Sequence, residues 1–553
     1  MATETSSSAV DAGEVLLDVR PLIEAGEEPF GTIMQTVAAL DGRTLLLVAP
    51  FEPTPLQGVL SAQGFTYTSE QVGEAEWRVR FVPGGGAPPA ETAPSPYTIK
   101  RPATATPATP TPSPPPAPPS APAGMPMDPT LNVPPAWLPL GFMAAAGAGL
   151  VGFGISLTAT APTAVVFPRS GDVIATVHLA VLAFLSTAVL GALHQFGPVV
   201  GGRPLRSIRA GVLTGVLFVP GVWLIPTGFL TGRNGLIQIG GVMATIAVCI
   251  AAWNVSNALA ATGKGAPIVG LRLAVSYLVL TAFFGITYAF DRQHAWFALY
   301  DHRVLAHAHI GLLGWLGLAY VAVAEKLWPM FLLAHRPHAH EGERAVWFLG
   351  VGAPLLLVGL LFNWGPVAVV GGAYVVPGLL FHLASLASVI RHRRRGLELL
   401  HGFVLTSASC LVVAIVVGVL AGIAPMSVAT RGRLVTAEVL ALILWLALAV
   451  LGHSHKIVPF ISWNRLRARG VTTGRDGRPL LFSHLVNATM ARVTFALAVL
   501  GAATALAGVL SATPWPVRVG GISLAFAGVV AVANLTSGPL LMIRWHQRTT
   551  QAS

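Results

Sequence analysis

HIGLLGWLGLAYVAVAEKLWP, residues 309–329, is an apolar stretch that opens with a histidine and closes with an acid–base pair and a proline. Two further stretches follow the same plan: HLAVLAFLSTAVLGALHQFGP at 178–198 and VLALILWLALAVLGHSHKIVP at 439–459. Their starts are 131 and 130 residues apart, since 309 − 178 = 131 and 439 − 309 = 130. A fixed period indicates repeated structural units. The sequence therefore predicts three related blocks around a common centre.

The composition is typical of a membrane protein. Hydrophobic residues make up 54% of the 553 residues and charged residues only 10%, and the mean hydropathy is +0.68. Because lipid offers no hydrogen-bond partners, an apolar run of about 20 residues crosses the bilayer as a helix. We expect an all-α polytopic fold over 134–545, with twelve transmembrane helices in three pseudo-repeats of four. The runs are 136–160, 173–198, 210–231, 235–260, 273–290, 304–333, 345–363, 367–390, 400–424, 434–462, 490–511 and 517–543.

The charges indicate how the chain lies in the membrane. The net charge of +11 resides mainly in loops, which argues against nucleic-acid binding. If the N-terminus is cytoplasmic, the loops after even-numbered helices hold sixteen arginines and lysines, and the opposite loops hold seven. The positive-inside rule then predicts that both termini are cytoplasmic, in a bacterial-type inner membrane. The only cysteines, Cys249 and Cys410, lie in predicted helices, which excludes a disulfide scaffold and covalently attached haem.

Residues 14–84 have a different pattern, in which short strand-like runs alternate with amphipathic helical ones. We expect a small soluble α/β domain of two layers here. Residues 85–133 are rich in proline, alanine and threonine, and this composition predicts an extended linker. The predicted strands are 15–20, 43–51 and 76–82, and the predicted helices are 28–41 and 54–65.

Three segments of the N-terminal domain resemble the TusA-like, or sulfur-carrier-like, domains of bacteria. They are DVRP at 18–21, APFEPTPL at 49–56 and WRVRF at 77–81. Sulfur-carrier chemistry requires a cysteine thiol, and this domain has none. We therefore expect a docking or regulatory head for a cytoplasmic partner, with a role in assembly or stability as the alternative.

Histidines inside the apolar helices are the candidate functional residues, because ionisable groups are costly in a bilayer. His178 and His309 begin equivalent helices, and His307 precedes His309 by two residues. Two helices that each offer an imidazole at one depth can hold an iron porphyrin between them. We therefore expect haem b, with His178 and His309 as iron ligands and His307 as a further cofactor ligand.

A second tier of polar residues follows 16 positions later on each template. Sixteen residues of α-helix rise about 24 Å, so His194, Glu325 and His455 are expected near the cytoplasmic face. His453 belongs to the same tier. A weaker metal or cofactor role for these four competes with the alternative that they are interface residues near the lipid headgroups.

The segment AHAHIGLLGWLGLAY, residues 306–320, resembles the HxH helix of heme-copper oxidase subunit I. Helix 2, with a histidine near its start and a proline at its exit, resembles the low-spin haem helix of that family. The resemblance implies that His178 and either His307 or His309 ligate haem, and that the other histidine serves a second metal or haem. The next helix, 345–363, has no histidine, which argues against copper. The layout also resembles the NnrS-like branch, polytopic haem proteins linked to nitric oxide stress.

The leading functional hypothesis is a haem-binding membrane redox protein. It would accept electrons from a quinol or a small donor and transfer them to, or respond to, nitric oxide or oxygen. As an enzyme it would be an oxidoreductase, of the oxidase or nitric oxide reductase type. Two alternatives remain: a multi-pass transporter, because repeats with polar groups in the membrane are common there, and a non-catalytic scaffold with a tethered regulatory head.

Overall fold

The computed structural model contains two compact units, an N-terminal α/β domain and a helical membrane domain. It describes residues 14–24, 29–61, 63–73, 76–83, 134–260, 265–334, 340–467, 469–471, 473–474 and 479–552. The predicted linker, 85–133, lies outside the described residues.

The N-terminal domain is a four-stranded sheet with helices, as the two-layer prediction requires. Its elements are β1 Glu14–Asp18, α1 Arg20–Glu24, α2 Phe30–Ala38, β2 Thr44–Ala49, α3 Thr54–Ser61, β3 Phe65–Gly73 and β4 Glu76–Pro83. The strand order is β1-β2-β4-β3, with β1 parallel to β2 and the other pairs antiparallel. Alternate side chains of a strand share a face, so Leu45 and Leu47 of β2 lie fully buried beside Val79 and Phe81 of β4.

Strand β3 is an element that the sequence pattern does not reveal. Among the described residues it pairs only with β4, so it is an edge strand of this sheet, and most of its residues are exposed. Its sequence, FTYTSEQVG, therefore lacks the apolar alternation of a strand that covers a core. The short helix α1 is likewise absent from the sequence-based prediction.

Arg20 ties the end of β1 to the start of β4. Its guanidinium donates to the Asp18 carboxylate and to the Glu76 carboxylate, both at 2.7 Å. The hydrogen bond from Arg20 lowers the pKa of Asp18 below its ordinary value of about 3.9. Because the Arg20 and Asp18 side chains remain about one third exposed, solvent screens the pair and its stabilising effect is modest.

The Asp18–Arg20 pair should give the N-terminal domain an acid-sensitive stability. A carboxyl whose pKa is depressed on folding stabilises the fold above its unfolded pKa, and this stabilisation is lost as the pH falls through the folded pKa. We expect Arg20→Ala to raise the pKa of Asp18 and to lower the free energy of unfolding of the domain at pH 7 by up to about 1 kcal/mol. NMR titration of the Asp18 carboxyl carbon tests this, with Arg43→Ala as the control. An unchanged Asp18 titration in Arg20→Ala would contradict it.

Within the described residues, twelve helices are long and apolar enough to span a membrane, which confirms the predicted all-α polytopic fold. Helices 1 to 12 are Trp137–Val166, Gly171–Gly201, Ile208–Thr231, Asn234–Ser256, Ala266–His294, Asp301–Leu332, Glu341–Leu361, Gly365–Arg391, Leu399–Ile423, Val428–Arg467, Ala488–Leu510 and Pro514–Ala552. Short 3-10 helices at Ala258–Ala260 and Phe482–Leu485 lie in two of the connections.

Helices 2, 6 and 10, the template helices, occupy the centre of the membrane domain. Within their apolar windows 67–72% of residues are buried, against 28–44% in the other nine helices. The three helices contact one another. Helix 12 packs along helix 1 and closes the bundle, where a side chain in place of Gly154 would collide with the backbone of Ala525. This arrangement agrees with three blocks around a common centre.

Blocks 1, 2 and 3 are helices 1–4, 5–8 and 9–12. Blocks 1 and 3 share a hydrogen bond at the start of one helix as well as the sequence period. Ser207 and Asn487 immediately precede helices 3 and 11. The backbone N–H of Ser207 donates to the buried Asn254 of helix 4 at 2.9 Å, and that of Asn487 donates to the buried Asn534 of helix 12 at 2.8 Å. The two bonds are equivalent, because Asn487 follows Ser207 by 280 residues and Asn534 follows Asn254 by the same number. A buried amide thus fixes one end of the helix hairpin in each block.

Removing the amide at 534 should loosen the last helix hairpin. Asn534 accepts from Asn487 N and donates to Asn487 O at 3.1 Å, and its side chain is fully buried. Asn534→Ala leaves two backbone groups unpaired, so we expect the free energy of unfolding to fall by about 1–3 kcal/mol and the Tm in detergent to fall with it. Thr536→Val, two residues away and bonded only within its own helix, should leave the Tm unchanged; an equal effect of both variants would contradict this account.

Candidate functional site

The histidine helices depart from α-helical geometry directly after the histidine. Residues Leu179–Ser186 and Ile310–Gly317 are π-helical, and the two segments follow His178 and His309 at equivalent positions. Helix 10, where the template has Val439, stays α-helical throughout. π-helical turns are rare and frequently lie at functional sites. The two blocks that carry the histidine therefore also share the local distortion.

Each template histidine is anchored by one nitrogen. Nδ1 of His178 donates to Ile174 O, and Nδ1 of His309 donates to Leu305 O, both at 2.8 Å. This bond orients the ring, as in histidines that ligate metals, and in His178 it leaves Nε2 as the free base. The same bond to the carbonyl four residues earlier holds His194, His453 and His455.

His178 of helix 2 and His307 of helix 6 lie within electrostatic range of each other. His178 stacks on Phe229 of helix 3 with ring centroids 5.5 Å apart, and His307 meets the edge of Tyr288 of helix 5 at 5.7 Å. The pair therefore lies where helices 2 and 6 meet helices 3 and 5. Nδ1 of His307 is buried and has no hydrogen-bond partner among the described residues.

His309 has a different neighbour, Glu438 of helix 10. Nε2 of His309 lies 3.4 Å from Oε1 of Glu438, and both side chains are largely buried. Glu438 is not among the residues predicted from the sequence, because the template comparison places Val439 at the histidine position. The sequence feature that could have identified Glu438 is an acidic residue in an apolar helix, one position before Val439. Helix 6 thus presents its two histidines to different neighbours, because residues two apart on a helix point about 200° apart.

The second-tier residues do not converge on one site. His194 stacks on Phe142 of its own block at 5.4 Å, and His455 stacks on Phe403 of its own block at 5.7 Å. The two contacts are equivalent, since 455 − 194 and 403 − 142 are both 261. Each ring is therefore part of the packing inside one block.

Glu325 occupies the corresponding place in block 2. Its carboxylate contacts Gly342 of helix 7 and accepts from Ser385 Oγ of helix 8 at 2.6 Å. His194 lies in the same way against Gly211, which precedes Gly342 by 131 residues. The acid has thus replaced the histidine of block 1 at an equivalent contact.

His453 lies in a different environment from His455. Its ring meets Tyr320 of helix 6 at 5.9 Å, and Tyr320 also meets His382 of helix 8 at 5.4 Å. Both histidines are buried. Neither Tyr320 nor His382 is a site residue predicted from the sequence. His382 lies off the repeated template, and Tyr320, which lies on it, has valines at the equivalent positions 189 and 450. Among the described residues, histidines, cysteines and acids form no group of three arranged to hold a metal ion, so the candidate ligands come in pairs.

Comparison with known proteins identifies only the N-terminal domain. Residues 16–83 match a family described as "Uncharacterized conserved protein (DUF2249)". The match covers the four-stranded sheet domain and stops before the membrane helices. No curated protein matches the chain. The class that fold and comparison define is therefore a twelve-helix membrane protein with an N-terminal DUF2249 domain.

The His309–Glu438 contact should contribute to the stability of the central helices. We expect Glu438→Leu to lower the unfolding free energy by about 1–3 kcal/mol, because it leaves a buried imidazole without its partner. Glu438→Gln retains a hydrogen-bonding group of the same size and should have a smaller effect. Thermal unfolding in detergent tests this, with Glu343→Gln as the exposed control. Equal Tm values for Glu438→Leu and Glu343→Gln would contradict it.

Proposed function

We propose that the membrane domain is a haem b-binding redox protein whose axial ligands are His178 and His307. The observation that carries the proposal is that these two imidazoles, on central helices 2 and 6, lie within electrostatic range of each other. The unpartnered, buried Nδ1 of His307 supports it, because a buried polar atom without a partner is costly unless a ligand or water satisfies it. The heme-copper oxidase resemblance implied His178 with either His307 or His309 as the haem ligands, and the proposal adopts His307.

The chain offers further groups that suit a flat, anionic macrocycle. A Cβ at Gly285 would come within 3.4 Å of the His307 ring, so this glycine keeps helix 5 close to the imidazole. Arg292 lies 4.9 Å over the Phe229 ring that stacks on His178. Its guanidinium could pair with a propionate carboxylate. When bound, the haem would supply reversible one-electron chemistry.

The protein groups would set the properties of that haem. The bond from His178 Nδ1 to the Ile174 carbonyl fixes the tautomer and holds the ring in place. Apolar walls from Phe229 and Tyr288 exclude water and favour the less charged oxidation state. His309 would serve a second cofactor or metal only by giving up its Nε2 contact with Glu438, because its Nδ1 donates to Leu305 O.

The proposed reaction is electron transfer from a quinol or small donor, with nitric oxide or oxygen as the diatomic acceptor or signal. On this proposal the domain is a divergent relative of heme-copper oxidase subunit I, with the NnrS-like layout as the nearer comparison. Both termini face the cytoplasm of a bacterial-type cell, as the loop charges predict. The N-terminal domain, TusA-like but without the cysteine, then acts as a docking head for a cytoplasmic partner.

A reduced-minus-oxidised spectrum of the purified protein tests the proposal. We expect a b-type α band that is lost in His178→Ala and in His307→Ala, because each variant removes one axial ligand. His455→Ala should retain the band, since this ring packs on Phe403 in another block. Retention of the band in His309→Ala distinguishes the His178–His307 pair from the alternative with His309. A flat spectrum of the wild-type protein from haem-supplemented cells would contradict the proposal.

Carbon monoxide provides the second measurement. Binding to the reduced protein would shift the spectrum only if one axial position is open or exchangeable. A shift supports a gas-binding role, and a spectrum unaffected by carbon monoxide restricts the haem to electron transfer.

A further inference from the structure

A groove of about 520 Å³ lies between helix 5, the start of helix 6 and the end of helix 7. Pockets that bind small molecules have volumes of about 300–1,000 Å³, so the groove is large enough for an organic ring. Of its nine lining residues, five are aromatic: Phe283, Phe284, Tyr288, Phe297 and Phe362. We refer to it as the aromatic groove.

The rings of the aromatic groove form a continuous wall. Phe284 lies 6.0 Å from Tyr288, and Tyr288 lies 5.9 Å from Phe297, measured between ring centroids. The Arg303 guanidinium carbon lies 5.5 Å over the Phe297 ring. Ring pairs in stacked or edge-on contact stabilise a complex beyond the apolar area that they bury. The lining therefore favours a planar ring over a flexible hydrocarbon chain.

The rim of the aromatic groove lies on the surface of the membrane domain. Phe283 of helix 5 and Phe362, which directly follows helix 7, are 52% and 57% exposed. Helices 5 and 7 are long and apolar enough to span a membrane, so exposed apolar rings on them face lipid. The groove is therefore open to a ligand that is dissolved in the bilayer, and an apolar tail can remain in the lipid.

Polar groups line the part of the groove nearest the connection between helices 5 and 6. Nη1 of Arg303 donates to Ala298 O at 2.6 Å, the one hydrogen bond of this side chain within the described residues. A guanidinium has further N–H donors, which remain for a ligand. The Thr287 hydroxyl donates to Phe283 O at 2.8 Å, so its oxygen can still accept. A donor and an acceptor suit a ring that carries oxygen substituents.

His307, the candidate haem ligand, lies behind the aromatic groove. Its ring meets the edge of Tyr288 with centroids 5.7 Å apart. A Cβ at Gly285, the residue after Phe284, would lie 3.4 Å from Cε1 of His307. The imidazole therefore abuts helix 5 beside the wall of the groove. The Tyr288 side chain stands between His307 and a ring bound in the groove.

A phospholipid is the competing occupant, because lipid surrounds the rim. Its phosphate would bind Arg303, but its acyl chains are flexible and have no oxygen to place near Thr287. They also gain less than a planar ring from contact with an aromatic wall. A redox-active ring explains the position of the groove next to His307, and an acyl chain does not.

We propose that the aromatic groove binds the ring of an isoprenoid quinone or quinol, with its tail in the bilayer. Arg303 donates to one ring oxygen, Phe284 and Tyr288 pack on the ring, and Thr287 accepts from a hydroxyl of the quinol form. This site deepens the proposed function, on which it rests for the role of the quinol as electron donor. Binding of the ring changes no covalent bond and requires no haem.

Photolabelling of the full-length protein in nanodiscs tests the site. Nanodiscs of phosphatidylethanolamine and phosphatidylglycerol supply phospholipid in large excess, so a phospholipid that prefers the groove would exclude the probe. The probe is a short-chain azidoquinone, and mass spectrometry identifies the labelled peptides. We expect the label within residues 280–303 or 357–362, and we expect excess decylubiquinone to remove it.

Two variants separate the contributions of shape and hydrogen bonding. Thr287→Trp fills the groove with an indole, and Arg303→Met keeps an apolar stem but removes the donors. Each should lower the labelling of the groove about tenfold, because each removes a contact that binding requires. The matched control is Thr227→Trp. Thr227 is exposed on helix 3 and makes the same hydroxyl bond, to Trp223 O at 2.8 Å, but it lies outside the groove.

Three results would overturn the quinone site. They are the absence of label in the wild-type groove, which assigns the groove to phospholipid, a label that excess decylubiquinone does not reduce, and equal labelling of the wild type, Thr287→Trp and Arg303→Met. Monodisperse elution identifies the variants that fold. The haem spectrum is recorded on the same nanodiscs. Label without a b-type band contradicts only the proposed haem, and a band without label contradicts only the quinone site.

Discussion

Close contact between helices 2, 6 and 10 is the constraint on which the rest of the membrane domain depends. At equivalent positions, six residues after the template start, lie Phe184, Trp315 and Trp445, all of them buried. Trp315 Nε1 donates to Ser186 Oγ of helix 2 at 3.0 Å, and Gly317 makes room for the Trp445 ring. Because this layer fills the axis, a cofactor held by side chains of two central helices must lie beyond the layer. His178, His307 and His309 all precede it along helices 2 and 6.

The three blocks share packing contacts but differ in their polar side chains. His194 and His455 keep the same stacking contact on a phenylalanine, while Glu325 takes the equivalent place in block 2. The start of the template shows the opposite distribution. Blocks 1 and 2 carry His178 and His309 there, each followed by a π-helical segment, and block 3 carries Val439 in a regular helix. Contacts that hold the helices together have thus stayed alike, and the polar groups have diverged.

The sequence predicts the fold of this protein better than its site, for physical reasons that particular residues illustrate. Twelve apolar runs and their period are properties of the chain alone, so the helices and the central position of 2, 6 and 10 follow from them. The direction of a side chain depends on helix geometry. Because π-helical turns follow His178 and His309, rotation angles for an ideal α-helix do not tell which imidazoles meet. Glu438 and His382 lie off the template, so spacing could not identify them.

The low apolarity of helix 6 has a consequence for biogenesis. This helix has the lowest mean hydropathy of the twelve and yet is the most enclosed by protein. With His307, His309 and Glu325 in its length, it would partition weakly into lipid as an isolated segment. Its integration must therefore be cooperative, with the neighbouring helices already present at the translocon to shelter it. Substitutions that delay the insertion of helix 5 would then reduce the yield of the whole protein, even where the mature structure tolerates them.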